Sequence, residues 1–146
     1  MKFDAHGLEV LDRRQCLSLL ASVPLGRVVF TDRALPAIQP VTFVLDGDDV
    51  ILHTSLGSTL VAATHETVVA FEADDFDTVR RTGWTVTILG HARVVHDPAE
   101  TARLARLPLQ PWNPAPRDHF IRIPCRQVTG RRINPAPDRR YAPAQE

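Results

Sequence analysis

The sequence predicts a mainly β fold, a small antiparallel barrel whose openings are covered by two or three helices. Several β-rich segments follow one another at short spacing, separated by turn clusters such as DRALP and DGDD, which is the pattern of an antiparallel meander. One further segment, GWTVTILGHARVVH at 83–96, is longer than the usual strand of about five or six residues. Its glycines at 83 and 90 would let such a strand coil around a barrel.

The first two thirds of the chain are predicted to contain two helices and four strands. Asp12 and Gln15 have the spacing of a capping box, and an apolar stripe follows them until Pro24, so a helix is predicted at about 12–22. The segments GRVVFTD, AIQPVTFVL and VILHT are predicted as three strands, STLVAATHE as a short helix and TVVAFEAD as a further strand.

The last third begins with the long strand at 83–96, of which one face carries Trp84, Val86, Ile88, Gly90, Ala92 and Val94. Asp97 and Pro98 then provide an N-cap and a proline at the first helical position, which predicts a helix through TARLARL. After the proline-rich loop LPLQPWNPAP, the segments HFIRIPC and QVTGRRIN supply the last strands. We expect one domain over 1–134 and a flexible C-terminal tail over 135–146.

Charge and composition argue against several classes of protein. Seventeen basic side chains balance seventeen acidic ones, so no overall field would attract nucleic acid or an anionic membrane. No apolar run approaches the ~18 residues that span a bilayer, and the first ten residues lack the pattern of a secretory signal. Cys16 and Cys125 lie far apart without a CxxC motif. We therefore expect a cytoplasmic protein without a disulfide framework.

Motifs for nucleophilic or metal catalysis are missing. The chain has no GxSxG elbow and no HExxH motif, and its six histidines form no i, i+4 pair on a convincing helix. Asp74, Asp75 and Asp77 are predicted to form an acidic loop, but they lack the spacing of a calcium-binding loop. The sequence thus predicts no catalytic side chain and no metal site, with histidines that are solvated or hydrogen-bonded.

The stretch TSLGSTLVAAT at 54–64 has the features of an anion-binding turn. Its hydroxyl groups would surround the first turn of a helix, where backbone amides favour a phosphate; they belong to Thr54, Ser55, Ser58 and Thr59. The loop has no lysine or arginine, so a phosphate-binding turn and a hydroxyl-capped turn both remain open. Trp84 and Trp112 stand beside glycine or proline turns, where an aromatic side chain either covers a ring-shaped ligand or closes the end of a barrel.

The order of these segments over about residues 8–134 resembles the pyridoxamine 5′-phosphate oxidase-like superfamily, the FMN-binding split barrels, which also includes deazaflavin (F420) reductases. The resemblance rests on the PVTFV strand before a DG hairpin, the TSLGSTL loop before a short helix, and the GWTVTILGHA strand.

This resemblance implies a homodimer of six-stranded antiparallel split barrels with FMN, or alternatively F420, at the subunit interface. It implies that the phosphate is held by Thr54, Ser55, Ser58 and Thr59, and that the isoalloxazine ring lies against Pro40, Val41, Thr42 and Phe43. Trp84 and Val86 match positions that reach the cofactor in relatives, sometimes from the partner subunit.

Two departures from the family pattern keep three functions open. Thr59 replaces the usual lysine, so the missing charge would have to come from elsewhere, with Arg27, Arg80, Arg81 and Arg117 as the candidates. The C-terminal arginine and histidine pattern of true vitamin B6 oxidases is also absent. The first function is a flavin-dependent oxidoreductase that transfers a hydride to a small organic substrate. The others are a non-catalytic flavin or haem storage protein and a cofactor-free dimer.

Overall fold

The computed structural model describes residues 1–54, 59–110, 112 and 119–135, which form nine strands and three helices. The strands are β1 (Lys2–Phe3), β2 (Glu9–Leu11), β3 (Leu25–Asp32), β4 (Leu35–Asp46), β5 (Asp49–Thr54), β6 (Thr67–Asp77), β7 (Thr82–Val94), β8 (His119–Ile123) and β9 (Gln127–Ile133). The helices are α1 (Arg13–Leu20), α2 (Thr59–Thr64) and α3 (Pro98–Leu104).

Six strands close into a barrel in which every strand is antiparallel to its neighbours. The order around the barrel is β7, β6, β3, β4, β5 and β8, and β8 pairs with the end of β7 to complete the ring. The first half of β7 also pairs with β9, which continues through β2 to β1 and extends the sheet beyond the barrel. The predicted mainly β fold, a six-stranded antiparallel barrel with a few helices, is confirmed.

The predicted elements occur where the sequence places them, with shorter helices. Asp12 and Gln15 form the predicted capping box at the start of α1, and the Asp97 carboxylate accepts a hydrogen bond from the Glu100 amide at 3.1 Å at the start of α3. Strands β1 and β2 were missed because they have only two and three residues, too few to show an alternating pattern.

The prediction of an acidic loop at Asp74, Asp75 and Asp77 is wrong. All three residues lie in β6, whose ladder with β7 continues to the pair Asp77 and Thr82. Aspartate is disfavoured in strands by intrinsic propensity, but here cross-strand partners compensate, since the Asp74 carboxylate lies 3.3 Å from the Arg27 guanidinium on β3.

The core fills the barrel and is lined by alternate residues of β7. The predicted inner face is confirmed, because all of its members are buried: Trp84, Val86, Ile88, Gly90, Ala92 and Val94. Phe43 and Phe71 pack edge to face, with ring centroids 4.7 Å apart. Helices α1 and α2 add Cys16, Leu20, Leu60 and Val61 to the same core.

Helix α3 packs against the outside of the barrel wall and is fastened by charges. Beneath it Ile51, Val95, Leu104 and Phe120 form a second apolar cluster. Arg122 on β8 is mostly buried and contacts three carboxylates, those of Asp46 at 2.7 Å, Asp49 at 2.9 Å and Glu100 at 3.2 Å. We call these four residues the Arg122 cluster. It joins β4, β5 and β8 to α3.

The Arg122 cluster makes stability depend on acid pH. Hydrogen bonds from Arg103 and Arg122 lower the pKa of Asp46 well below its ordinary value of 3.8. Because the pKa of Asp46 is lower in the folded than in the unfolded protein, ionised Asp46 stabilises the fold fully at pH values above the unfolded-state pKa. This stabilisation is lost as the pH falls from about 4 towards the folded-state pKa. We expect the free energy of unfolding, measured with urea between pH 2 and 5, to fall more steeply in the wild type than in Asp46→Asn. The same slope in both proteins would contradict this expectation, and Asp75→Asn on an exposed carboxylate is the control.

Candidate functional site

An apolar row crosses the outer face of the barrel. Ile38 on β4, Val29 on β3, Ala70 on β6 and Leu89 on β7 are successive partners in the ladders of these strands. Ile38 and Leu89 are exposed by 66% and 41%. Exposed apolar side chains that adjoin one another are more informative than isolated ones, because contiguous patches mark contact surfaces.

A charged cluster lies beside this apolar row. The Arg27 guanidinium contacts the carboxylates of Glu72 at 3.0 Å and Asp74 at 3.3 Å, and the Thr85 hydroxyl donates to Glu72 at 3.1 Å. Burial, followed by the neighbouring Asp74 carboxylate, raises the pKa of Glu72. Arg27 is also the ladder partner of Pro40, so the cluster adjoins the segment predicted to line a flavin ring.

That segment, Pro40 to Phe43, lies where β4 changes its partner strand. β4 pairs with β3 as far as Thr42 and with β5 from Phe43 onwards. Pro40 is exposed and Val41 and Thr42 are half-buried, whereas the Phe43 side chain is in the core. The outer surface and backbone of this bend are therefore the parts available to a ligand.

The predicted phosphate turn connects β5 to α2. Thr54 is the last residue of β5 and is half-buried, and Thr59 is the exposed first residue of α2. Ser55 and Ser58 lie outside the described residues.

Four arginines were predicted as possible replacements for the missing lysine. Arg27 already forms ion pairs with Glu72 and Asp74. Arg80 and Arg81 lie just after the end of β6. The other end of β6, which follows α2, is about 33 Å away along the strand. Arg117 lies outside the described residues.

Four histidines gather at this α2 end of the barrel. His119 is the ladder partner of Thr54, and His53 stacks on Phe120 with ring centroids 4.1 Å apart. The ring centroid of His96 lies 5.7 Å from that of His65 and 6.5 Å from that of His119. Sequence reasoning treated these histidines separately. The signal that could have grouped them is that each lies at or next to the end of a strand or helix, and these ends meet in the antiparallel barrel.

The groove beside Trp84 is at the opposite end of β7. It has a volume of about 570 Å³ and is lined by Arg80, Thr82, Gly83, Trp84, Arg132, Ile133, Asn134 and Pro135. Trp84 is about 33 Å of strand away from Val94, the β7 residue at the α2 end. One chain therefore does not bring Trp84 together with Thr54 and Thr59.

Val86 and Trp112 complete the residues singled out from the sequence. The Val86 side chain is fully buried and packs in the core. The predicted contact of Val86 with a cofactor stays a prediction. Trp112 is 67% exposed.

Neither cysteine is poised for nucleophilic chemistry. Cys16 and Cys125 are free and buried, and burial raises the pKa of both thiols, which disfavours the reactive thiolate. Among the residues that the structure describes, no group of histidine, cysteine, aspartate or glutamate has the arrangement of a metal site. In the same residues no helix is long and apolar enough to cross a membrane.

The closed ring of six antiparallel strands, with β4 bending from one half of the ring to the other, defines a split-barrel protein. The model of the pyridoxamine 5′-phosphate oxidase family matches residues 12–132, and the chain belongs to this family.

Known relatives and solved structures agree with this assignment. The chain is 46% identical over 128 residues to the uncharacterized Mycobacterium tuberculosis protein Rv0080, with 84% of each protein covered. It is 39% identical to an FAD binding protein from Mycobacterium smegmatis, with a TM-score of 0.72 and coverage of 84% of this chain and 95% of that one. It is 30% identical to a candidate pyridoxamine 5′-phosphate oxidase from Corynebacterium glutamicum, with a TM-score of 0.79 and coverage of 90% and 96%.

Proposed function

We propose that this protein binds a flavin nucleotide, FAD or FMN, and uses it to transfer a hydride to a small organic molecule. The observation that carries the proposal is the likeness to the FAD binding protein of Mycobacterium smegmatis, at 39% identity over 84% of this chain. The deazaflavin F420 is the alternative cofactor. Because the flavin supplies the hydride chemistry, the protein needs no side-chain acid or base and provides binding, orientation and electrostatics.

In this proposal the flavin ring lies against β4 at Pro40 to Phe43, and its phosphate points towards Thr54 and Thr59. The bend of β4 offers a half-buried surface for one side of a flat ring. The Arg27 residue is the ladder partner of Pro40, and its guanidinium contacts the Glu72 carboxylate on the next strand at 3.0 Å. Arg27 is thus placed to influence the electron density of a ring bound there, and Glu72 and Asp74 in turn modulate its charge.

We further propose that two copies associate through the apolar row and that each site is completed by the partner. Trp84 lies at the far end of β7 from Thr54 and Thr59, so a Trp84 that touched the cofactor would belong to the second copy. The exposed Ile38 and Leu89 side chains supply apolar surface for such an interface.

Charge introduced into the apolar row should dissociate this dimer. Ile38→Glu places a carboxylate where the interface would exclude water, so we expect the sedimentation coefficient to change from that of a dimer to that of a monomer. Val79→Glu is the matched control, because Val79 is 90% exposed and lies in the turn between β6 and β7. A wild-type protein that sediments as a monomer would contradict the proposed dimer.

Restoring the family's lysine should strengthen flavin binding. Thr59→Lys adds a positive charge beside the proposed phosphate position, worth about 1 kcal/mol at the surface or about a fivefold lower Kd. Ala62→Lys is the control, since it adds the same charge to an exposed position of the same helix. A fluorescence titration with FMN measures the Kd of both variants. Equal effects of the two substitutions would place the phosphate elsewhere.

The proposal as a whole is tested by incubating the purified protein with FAD, FMN and F420. We expect at least one of them to raise the melting temperature, and the rise should continue with the logarithm of the ligand concentration above its Kd. The bound cofactor, once reduced without oxygen, should be reoxidised faster on the protein than in solution by quinones, nitro compounds or enones. Binding without this acceleration would instead favour the storage function.

A further inference from the structure

We propose that His96 and His119, oriented together with His65, supply the positive charge that holds the phosphate groups of the flavin, so that flavin affinity rises as the pH falls. This inference rests on the proposed flavin-binding function. It assigns His96 and His119 as phosphate-binding residues that take the place of the missing lysine, and His65 as the positioning residue of the cluster.

The three imidazole rings form a continuous cluster beside a predicted phosphate ligand. His96 lies between the other two, at the ring-centroid distances given above. His119 and Thr54 face each other across the ladder of β8 and β5, where directly opposite side chains lie about 5 Å apart. A phosphate that accepts a hydrogen bond from Thr54 would therefore be within reach of this cluster.

The hydrogen bond of His65 fixes how its ring can act. The His65 Nδ1 atom accepts from the Val94 backbone amide at 3.0 Å, which requires that Nδ1 carries no proton. In the neutral ring the proton is then on Nε2, which is free of the strand and can donate to an acceptor. Because the Val94 amide occupies Nδ1 of His65, we assign the cationic role to His96 and His119.

The charged surroundings favour an anion at this cluster once the histidines are protonated. Helix α2 has no acidic or basic residue, and the titratable residue of β5 after Asp49 is His53, whose ring stacks on Phe120. Among the described residues, the acidic groups near this cluster are Glu66, whose carboxylate is 3.9 Å from His65 and 75% exposed, and Asp97, which caps α3; Asp118, next to His119 in the sequence, lies outside the described residues. The nearby Arg93 on β7 is engaged by Glu100 at 2.9 Å. Within the described residues the histidines are thus the groups of this cluster able to become cationic.

Histidine ordinarily changes its charge between about pH 5 and 8. Hydrogen bonds from a charged group are stronger than neutral ones by an amount that corresponds to about tenfold in affinity. FAD is the suitable probe, because its diphosphate bridge keeps its charge over this range, whereas the phosphate of FMN itself titrates near pH 6.

The test compares the Kd for FAD at pH 6 and pH 8 at constant ionic strength. We expect about tenfold tighter binding at pH 6 in the wild type, and less than a twofold difference when His96→Gln and His119→Gln are combined. His65→Asn keeps an acceptor for the Val94 amide and should weaken binding at both pH values. His91→Gln, on the exposed side of β7, is the control and should behave as the wild type.

The outcomes separate this inference from the proposed function. Absence of binding of FAD, FMN and F420 at both pH values would overturn the proposed function itself, and absence of FAD binding with FMN or F420 bound would overturn this inference alone. Binding of equal strength at both pH values, or a pH effect retained in the double variant, would overturn the histidine assignment alone. Should the double variant not fold, NMR of the wild type decides: FAD should shift the ring-proton resonances of His96 and His119 and leave those of His6 in place, and unshifted His96 and His119 resonances would overturn the inference.

Discussion

Gly90→Ala should lower the free energy of unfolding by about 3 kcal/mol or more. A Cβ atom at this position would overlap the Pro124 carbonyl oxygen and would lie 3.0 Å from Ile123 Cγ2. Pro124 is part of the link between β8 and β9, so the overlap involves backbone and cannot be relieved by rotating a side chain. The sequence suggested that Gly90 lets β7 coil, and the structure adds this close approach as the specific reason for glycine.

Gly47→Ala is the matched control for this substitution. Gly47 has a φ of +60°, but a Cβ atom there would meet nothing within 4 Å. The left-handed backbone alone should therefore lower the free energy of unfolding of Gly47→Ala, by about 1–2 kcal/mol. Urea unfolding of both variants measures how much each substitution lowers the free energy of unfolding. A Gly90→Ala protein within about 1 kcal/mol of the wild type would show that β7 and the Pro124 segment are not packed as described.

Arg122→Met should be the most destabilising change among the charged residues, at about 3–5 kcal/mol. The Arg122 side chain is only 10% exposed, and its removal would leave the carboxylates of Asp46, Asp49 and Glu100 close together with less compensating charge. Their repulsion would act directly on the contact between α3 and the barrel wall.

Arg103→Met separates the effect of burial from the effect of charge. Arg103 also contacts Asp46, at 2.9 Å, but its side chain is 55% exposed, and exposed ion pairs contribute about 1 kcal/mol or less. We expect chemical denaturation to rank Arg122→Met well below Arg103→Met in stability. Equal losses for the two variants would mean that the Arg122 cluster does not fasten α3 in the way that its geometry indicates.

Residues whose environment is set by neighbours in sequence were predictable. The alternation along β7 gave its buried face, and the capping box of Asp12 and Gln15 gave the start of α1. Residues whose role depends on distant partners were not. Asp75 and Asp77 lie in a strand because β7 pairs with them as far as Thr82, and no local pattern carries that information.

The candidate site shows the same division. The order of motifs identified the family, and the β4 segment and the turn at Thr54 and Thr59 stay predictions that follow from it. The grouping of His65, His96 and His119 arises only when β5, β7, β8 and α2 end at the same opening. The separation of Trp84 from Thr54 likewise appears only in the folded barrel. Trp84 lies near the start of β7, whereas Thr54 on β5 lies at the end of the barrel where β7 ends.

Flavin binding by this chain is tested most directly by equilibrium titrations of the purified protein with FAD, FMN, F420 and riboflavin, followed by the fluorescence of each ligand. We predict saturable binding of FAD or FMN with a Kd in the micromolar range or below, at one flavin per chain. Riboflavin, which has the ring but no phosphate, should bind at least about tenfold more weakly, since it forfeits the charge-assisted contacts. Binding of riboflavin as tight as that of FMN would contradict the phosphate position at the α2 end. Absence of saturable binding of FAD, FMN and F420 alike would contradict the proposed function itself.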